Sequence, residues 1–129
     1  MTAMSSIKAT GTGLLLRGSK FIGMDVKNRA GEDLGDIEDV MIDLSAGRIA
    51  YAVLSFGGFL GLGDKFFAIP PDVLEYNEVD DELILNVDKN SLENAPGFDK
   101  ENWPDMADRT WGASIYNYYG RDPYWEEKL

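Results

Sequence analysis

A chain of 129 residues is long enough for one domain with a modest core and too short for two full ones. Its 23 Asp and Glu against 12 Lys and Arg give a net charge of −11, which repels nucleic-acid phosphates and anionic lipid headgroups. With neither cysteine nor histidine, it lacks a disulfide framework, thiolate ligands, a thiol nucleophile and the commonest general base.

No apolar segment approaches the roughly 20 residues that a bilayer span needs. Leu14 to Leu16 is too short for the apolar centre of a secretory signal. The expectation is a soluble, cytoplasmic protein with no membrane span. Residues 1–17, rich in Ser, Thr, Gly and Ala, read as a flexible leader.

From Phe21 the pattern changes. Ile22, Met24 and Val26 alternate with Gly23, Asp25 and Lys27, as in a half-buried strand. Asn28 to Gly31 has the chemistry of a tight turn, with Gly31 able to rejoin a hairpin. The partner strand, from about Leu34 to Leu44, changes phase. Ile37 faces one way and Val40, Ile42 and Leu44 the other, which predicts a β-bulge near Glu38 and Asp39. Leu44 to Gly47 repeats the turn chemistry, so two hairpins follow one another.

Ile49 to Phe56 is apolar on both alternating faces, with Ile49, Tyr51 and Val53 on one side and Ala50, Ala52, Leu54 and Phe56 on the other. Such a strand must be covered twice. A glycine-rich loop carrying Phe59, Leu60 and Leu62 leads into Phe66 to Ile69, stopped by Pro70 and Pro71. Three large apolar side chains in a loop either cap one end of the sheet or meet another chain. A helical turn at Asp72 to Leu74 and a last pair of strands, Leu74 to Asn77 and Glu82 to Val87, complete six short strands. A small antiparallel barrel or a strongly curled sheet is the economical closure, because it removes exposed edges.

Asp88 to Asn94 reads as a short helix capped by Asp88 and ended by Pro96-Gly97. The remainder holds all three Trp and four of the six Tyr, too aromatic for a disordered tail. Residues 93–129 are therefore expected to form an ordered, mostly irregular arm, with one short helix from Pro104 to Trp111. The arm docks either on its own barrel or on that of a neighbouring subunit.

The order of these segments resembles the PRC-barrel family over residues 18–92. The resemblance is carried by Gly23 with Val26, by Asn28 to Gly31, and by Leu34-Gly35-Asp36-Ile37-Glu38-Asp39. Gly47-Arg48-Ile49-Ala50-Tyr51 and Phe67 to Pro70 complete it. The glycine loop and the endings NAPGFDKENWPDMADRTWG and YYGRDPYWE are most similar to the stand-alone bacterial members, although Pro71 stands where those often carry Trp. The resemblance implies a mainly β protein: a small six-stranded antiparallel barrel serving interaction or assembly, with no catalytic residues.

Function follows the same lines. Gly57 to Gly63 fails as a phosphate loop, because Asp64 separates Gly63 from Lys65 and Phe66 follows the lysine. Asp36, Glu38, Asp39 and Asp43 offer oxygens for a divalent cation, but a strand splits them between faces, so a solvated face is the simpler reading. No serine elbow is present. The expectation is a non-enzymatic protein-interaction module, self-associating, with no cofactor, no metal and no nucleic-acid partner. Its partner-contact candidates are Phe59, Leu60, Leu62, Trp103, Trp111, Tyr118, Tyr119 and Trp125. The alternative is a stress-related protein binding a small ligand or a divalent metal.

Overall fold

The computed structural model describes residues 4–6, 15–57 and 65–126. Eight strands form one sheet: β1 (Met4–Ser6), β2 (Asp25–Lys27), β3 (Asp33–Asp43), β4 (Arg48–Phe56), β5 (Lys65–Ile69), β6 (Leu74–Asn77), β7 (Glu82–Leu85) and β8 (Phe98–Asp99). Among the described residues three α-helices accompany them: α1 (Gly18–Phe21), α2 (Lys89–Glu93) and α3 (Arg109–Tyr118).

The strand order is β1-β6-β7-β2-β3-β4-β5-β8, which is linear among the described residues. This corrects the expected six-stranded antiparallel barrel in two ways. β2 and β7 run parallel, pairing Val26 with Leu83, so the sheet is mixed. Two further strands extend its ends, β1 on β6 and β8 on β5. The physical reason lies at Pro70 and Pro71, which have no N–H to continue the β5 ladder. Pro71–Val73 makes a 3-10 turn instead, and the β6–β7 hairpin then lands beside β2. Pro71 itself is buried at the start of that turn. Residues 4–6, inside the stretch read as a leader, pair with Glu75 to Asn77.

The predicted bulge is present. Between Ile37 and Asp39 the pairing with β4 skips Glu38, which flips the later part of β3 to the other phase. A second shift lies on β4, where Ala50 has no partner between Ile49 and Tyr51. That one was not foreseen. The core-facing phase expected for Ile42 and Leu44 is also corrected, since both lie at the β3–β4 end beyond the apolar clusters. Val40 and Met41 still pack at the edges of the apolar clusters, whereas Ile42 is 60% and Leu44 90% exposed. The start of the chain is corrected as well: Phe21 ends helix α1, with Ile22 N–H bonded to the Gly18 carbonyl rather than to a ladder.

Gly35 is required twice over. Its φ is +126°, and a Cβ there would stand 2.0 Å from the Ser55 carbonyl oxygen of the paired strand. Gly31 and Gly47 also have positive φ, in the two turns predicted for them.

Residues 50–56 are all buried, and the strand separates two apolar clusters. The first gathers Ala52, Leu54 and Phe56 with Val26, Leu34, Ile37, Phe67, Ile69, Leu74, Leu83 and Leu85, covered by Phe21 and Leu92. The second lies on the opposite face, where Tyr51 and Val53 meet Phe66, Ala68, Phe98, Ile115 and Tyr116. The residues after 93 supply most of the cover on that second face.

Candidate functional site

The outer face of β4 and β5 is roofed by α3 and the segment after it. Helix α3 starts where the Asp108 carboxylate accepts from the N–H groups of Thr110 and Trp111. It ends at Gly120, with Arg121 N–H on the Tyr116 carbonyl. The arm is thus more regular than expected, and its helix overlaps the expected Pro104–Trp111 span only at its start, beginning at Arg109 and running through Tyr118. Ile115 and Tyr116 point into the second cluster, while Trp111, Tyr124 and Trp125 pack around its margin.

Rings interlock across this roof. Tyr51 meets Trp111 and Tyr116 edge-on, with centroids 5.5 and 5.6 Å apart, and Tyr116 meets Trp125 at 5.4 Å. Edge-to-face pairs of this kind add to area burial. The Tyr116 hydroxyl donates to the carbonyl of Ala50 at 2.7 Å, so the unpaired bulge residue is served by the arm. Burial raises the Tyr116 hydroxyl well above its ordinary value and pushes that of Tyr51 up to about 12.

The β3–β4 turn forms the second anchor. Asp43 accepts from the backbone N–H of Ser45 and Ala46, and its other oxygen takes the hydroxyl of Tyr124. The Tyr124 hydrogen bond, then that of Ala46, holds the Asp43 carboxyl below its usual range. Arg48 lies over the Tyr124 ring, 4.1 Å from its centroid, and Arg109 lies over Trp125.

The sequence-based candidates divide accordingly. Phe59, Leu60 and Leu62 lie outside the described residues. Trp111, Tyr119 and Trp125 are half-buried against the chain's own sheet, and Trp111 and Trp125 serve the roof rather than a free surface. Trp103 is 39% exposed, packed on Phe66 and Phe98 with its indole N–H on the Lys100 carbonyl. Tyr118 is 44% exposed and donates to the Ser91 carbonyl. Sequence reasoning missed the exposed pair Ile42 and Leu44, which share the phase of Val40 but lie at the β3–β4 end, past the reach of either apolar cluster.

Among the described residues, no three or more Asp, Glu, His or Cys stand close enough to share a metal ion. Also among them, no helix is long and apolar enough to cross a membrane.

The PRC-barrel domain model matches residues 15–92, and the chain belongs to that family. No curated protein sequence matches the chain. Membership makes the sheet a domain of the protein-interaction type. The α3 roof falls outside the matched residues, yet it covers a face of the matched domain.

Proposed function

We propose that this chain is a non-enzymatic interaction module of the PRC-barrel kind that associates with a second copy of itself through the β3–β4 end. The observation that carries this reading is the pair Ile42 and Leu44, two large aliphatic side chains left to water beside a turn that the arm otherwise braces. The arm aromatics support it less than their number suggests, since their rings are spent on the chain's own β4. A net charge of −11 opposes self-association, so contact between copies should strengthen as salt screens the repulsion.

Sedimentation velocity over a range of protein concentrations, at low and high salt, tests the proposal. The expected result is a concentration-dependent sedimentation coefficient that rises with salt and falls to the monomer value in an Ile42→Ser, Leu44→Ser double variant. A strict monomer at both salts, or a double variant that associates like the parent, overturns it.

A further inference from the structure

Ile42 and Leu44 flank Asp43 in the chain, and the hydrogen bonds of Asp43 decide how firmly they are held. One carboxylate oxygen of Asp43 accepts from the N–H of Ser45 at 3.0 Å and of Ala46 at 3.1 Å, and its carbonyl accepts from Gly47 N–H at 2.8 Å. The other carboxylate oxygen takes the Tyr124 hydroxyl. Of these bonds only that of Tyr124 comes from outside the β3–β4 hairpin.

Tyr124 is itself held in place. Arg48 lies over its ring at 4.1 Å, and the rings of Trp125 and Tyr116 meet it edge-on at 5.1 and 6.0 Å. Tyr116 in turn is anchored on the Ala50 carbonyl. A continuous brace therefore runs from the buried roof to the exposed turn. It also sets direction: Asp43 turns its carboxylate toward the arm, and Ile42, its neighbour on the strand, turns the other way, into water. Neither apolar cluster contains Ile42 or Leu44. Without the brace, the turn that carries them would have to be ordered each time two copies met, which weakens association.

On the reading that Ile42 and Leu44 make the contact between copies, we infer that Tyr124 is a positioning residue for self-association. Its hydroxyl holds Asp43 and so presents the two aliphatic side chains to a second copy in one fixed arrangement. Tyr124 lies beyond the residues that the PRC-barrel model matches, which makes the end of the arm a control on assembly of the family domain. Copies associate while that end is docked and separate when it lifts.

Tyr124→Phe tests this in the full chain, because it keeps the ring between Arg48 and Trp125 and removes only the bond to Asp43. Sedimentation velocity at high salt is expected to show association roughly tenfold weaker than in the parent. Amide exchange at Ser45 and Ala46 should quicken, with tryptophan fluorescence unchanged. Asp43→Asn keeps an oxygen for the turn N–H groups and loses the charge that Tyr124 bonds, so it should weaken association by a similar factor. The two changes together should be no worse than either alone, because both remove one bond. Additive losses, or a Tyr124→Phe chain that associates like the parent, overturn the inference. If the Ile42→Ser, Leu44→Ser variant is monomeric while Tyr124→Phe keeps the parent's association, the positioning role alone falls. If that double variant associates like the parent, the contact itself is wrong, and the role of Tyr124 falls with it.

Discussion

The hydroxyl of Tyr116 donates to the carbonyl of Ala50 at 2.7 Å, joining residues 66 apart in the chain inside the second apolar cluster. Ala50 is the bulged residue of β4 and has no partner in the pairing with β3. An irregularity of the family domain is thereby completed by a residue outside it. Tyr116→Phe keeps the ring and leaves that carbonyl buried and unserved, a loss of about 1–2 kcal/mol. Urea unfolding should show a lower midpoint at an unchanged m-value.

Gly112 lies in the middle of α3, where alanine would ordinarily gain about 1 kcal/mol of helix propensity. Here a Cβ would stand 2.3 Å from the Tyr51 hydroxyl oxygen and 2.6 Å from the Trp125 ring. Tyr51 cannot swing aside, because Trp111 and Tyr116 hold its ring. Gly112→Ala is therefore expected to destabilise by about 1–3 kcal/mol despite the better helix former. Loss of near-ultraviolet dichroism from the tryptophans would report the shifted roof.

Tyr51→Phe should act in the opposite direction. Its hydroxyl is buried without a hydrogen-bond partner, so removing it costs no bond and spares its desolvation. The variant is expected to match or exceed the parent in thermal unfolding. It also removes the nearer clash of Gly112→Ala, so the double variant should be less destabilised than the sum of the singles.

Four tyrosines set the alkaline limit. Burial pushes Tyr51 and Tyr124 up to about 12, Tyr124 with help from the Asp43 hydrogen bond, and raises Tyr116 and Tyr119 further. Unfolded phenols ionise near 10, so from that pH upward the unfolded state releases protons that the folded state keeps. Their stabilisation is complete below pH 10 and is lost as pH climbs through the folded values. Asp43 works at the other end: its lowered carboxyl adds stability above the unfolded carboxylate value and loses it as pH falls through the folded one. Phenolate absorbance and circular dichroism followed together should rise and collapse in one step above pH 10.

Much of this was legible in the chain because β-patterning has period two and tolerates few misreadings. The phase change at Glu38 gave the first bulge, and the two-sided run of β4 required cover on both faces. The second bulge was hidden, since Ala50 fits either face of an apolar strand and breaks no visible pattern. Helix α3 was misplaced for a related reason. Asp108 as cap, Trp111, Ile115 and Tyr119 at four-residue spacing, and Gly120 at the end are helix signals. Gly112 and the aromatic content obscured them, because that glycine serves ring packing against Tyr51 rather than helix formation. The linear, mixed strand order was beyond a local reading, since parallel β2–β7 pairing depends on where Pro70 and Pro71 send the chain.

That the roof over β4 belongs to the same chain is tested most directly by isotope-filtered NOE spectroscopy on an equal mixture of labelled and unlabelled protein, refolded together. Intrachain docking predicts cross-peaks from the Tyr116 ring to Ala50 and Tyr51 within labelled molecules, and none between labelled and unlabelled ones. Strong Tyr116–Ala50 cross-peaks between the two populations would contradict it and make the aromatic arm an exchanged element.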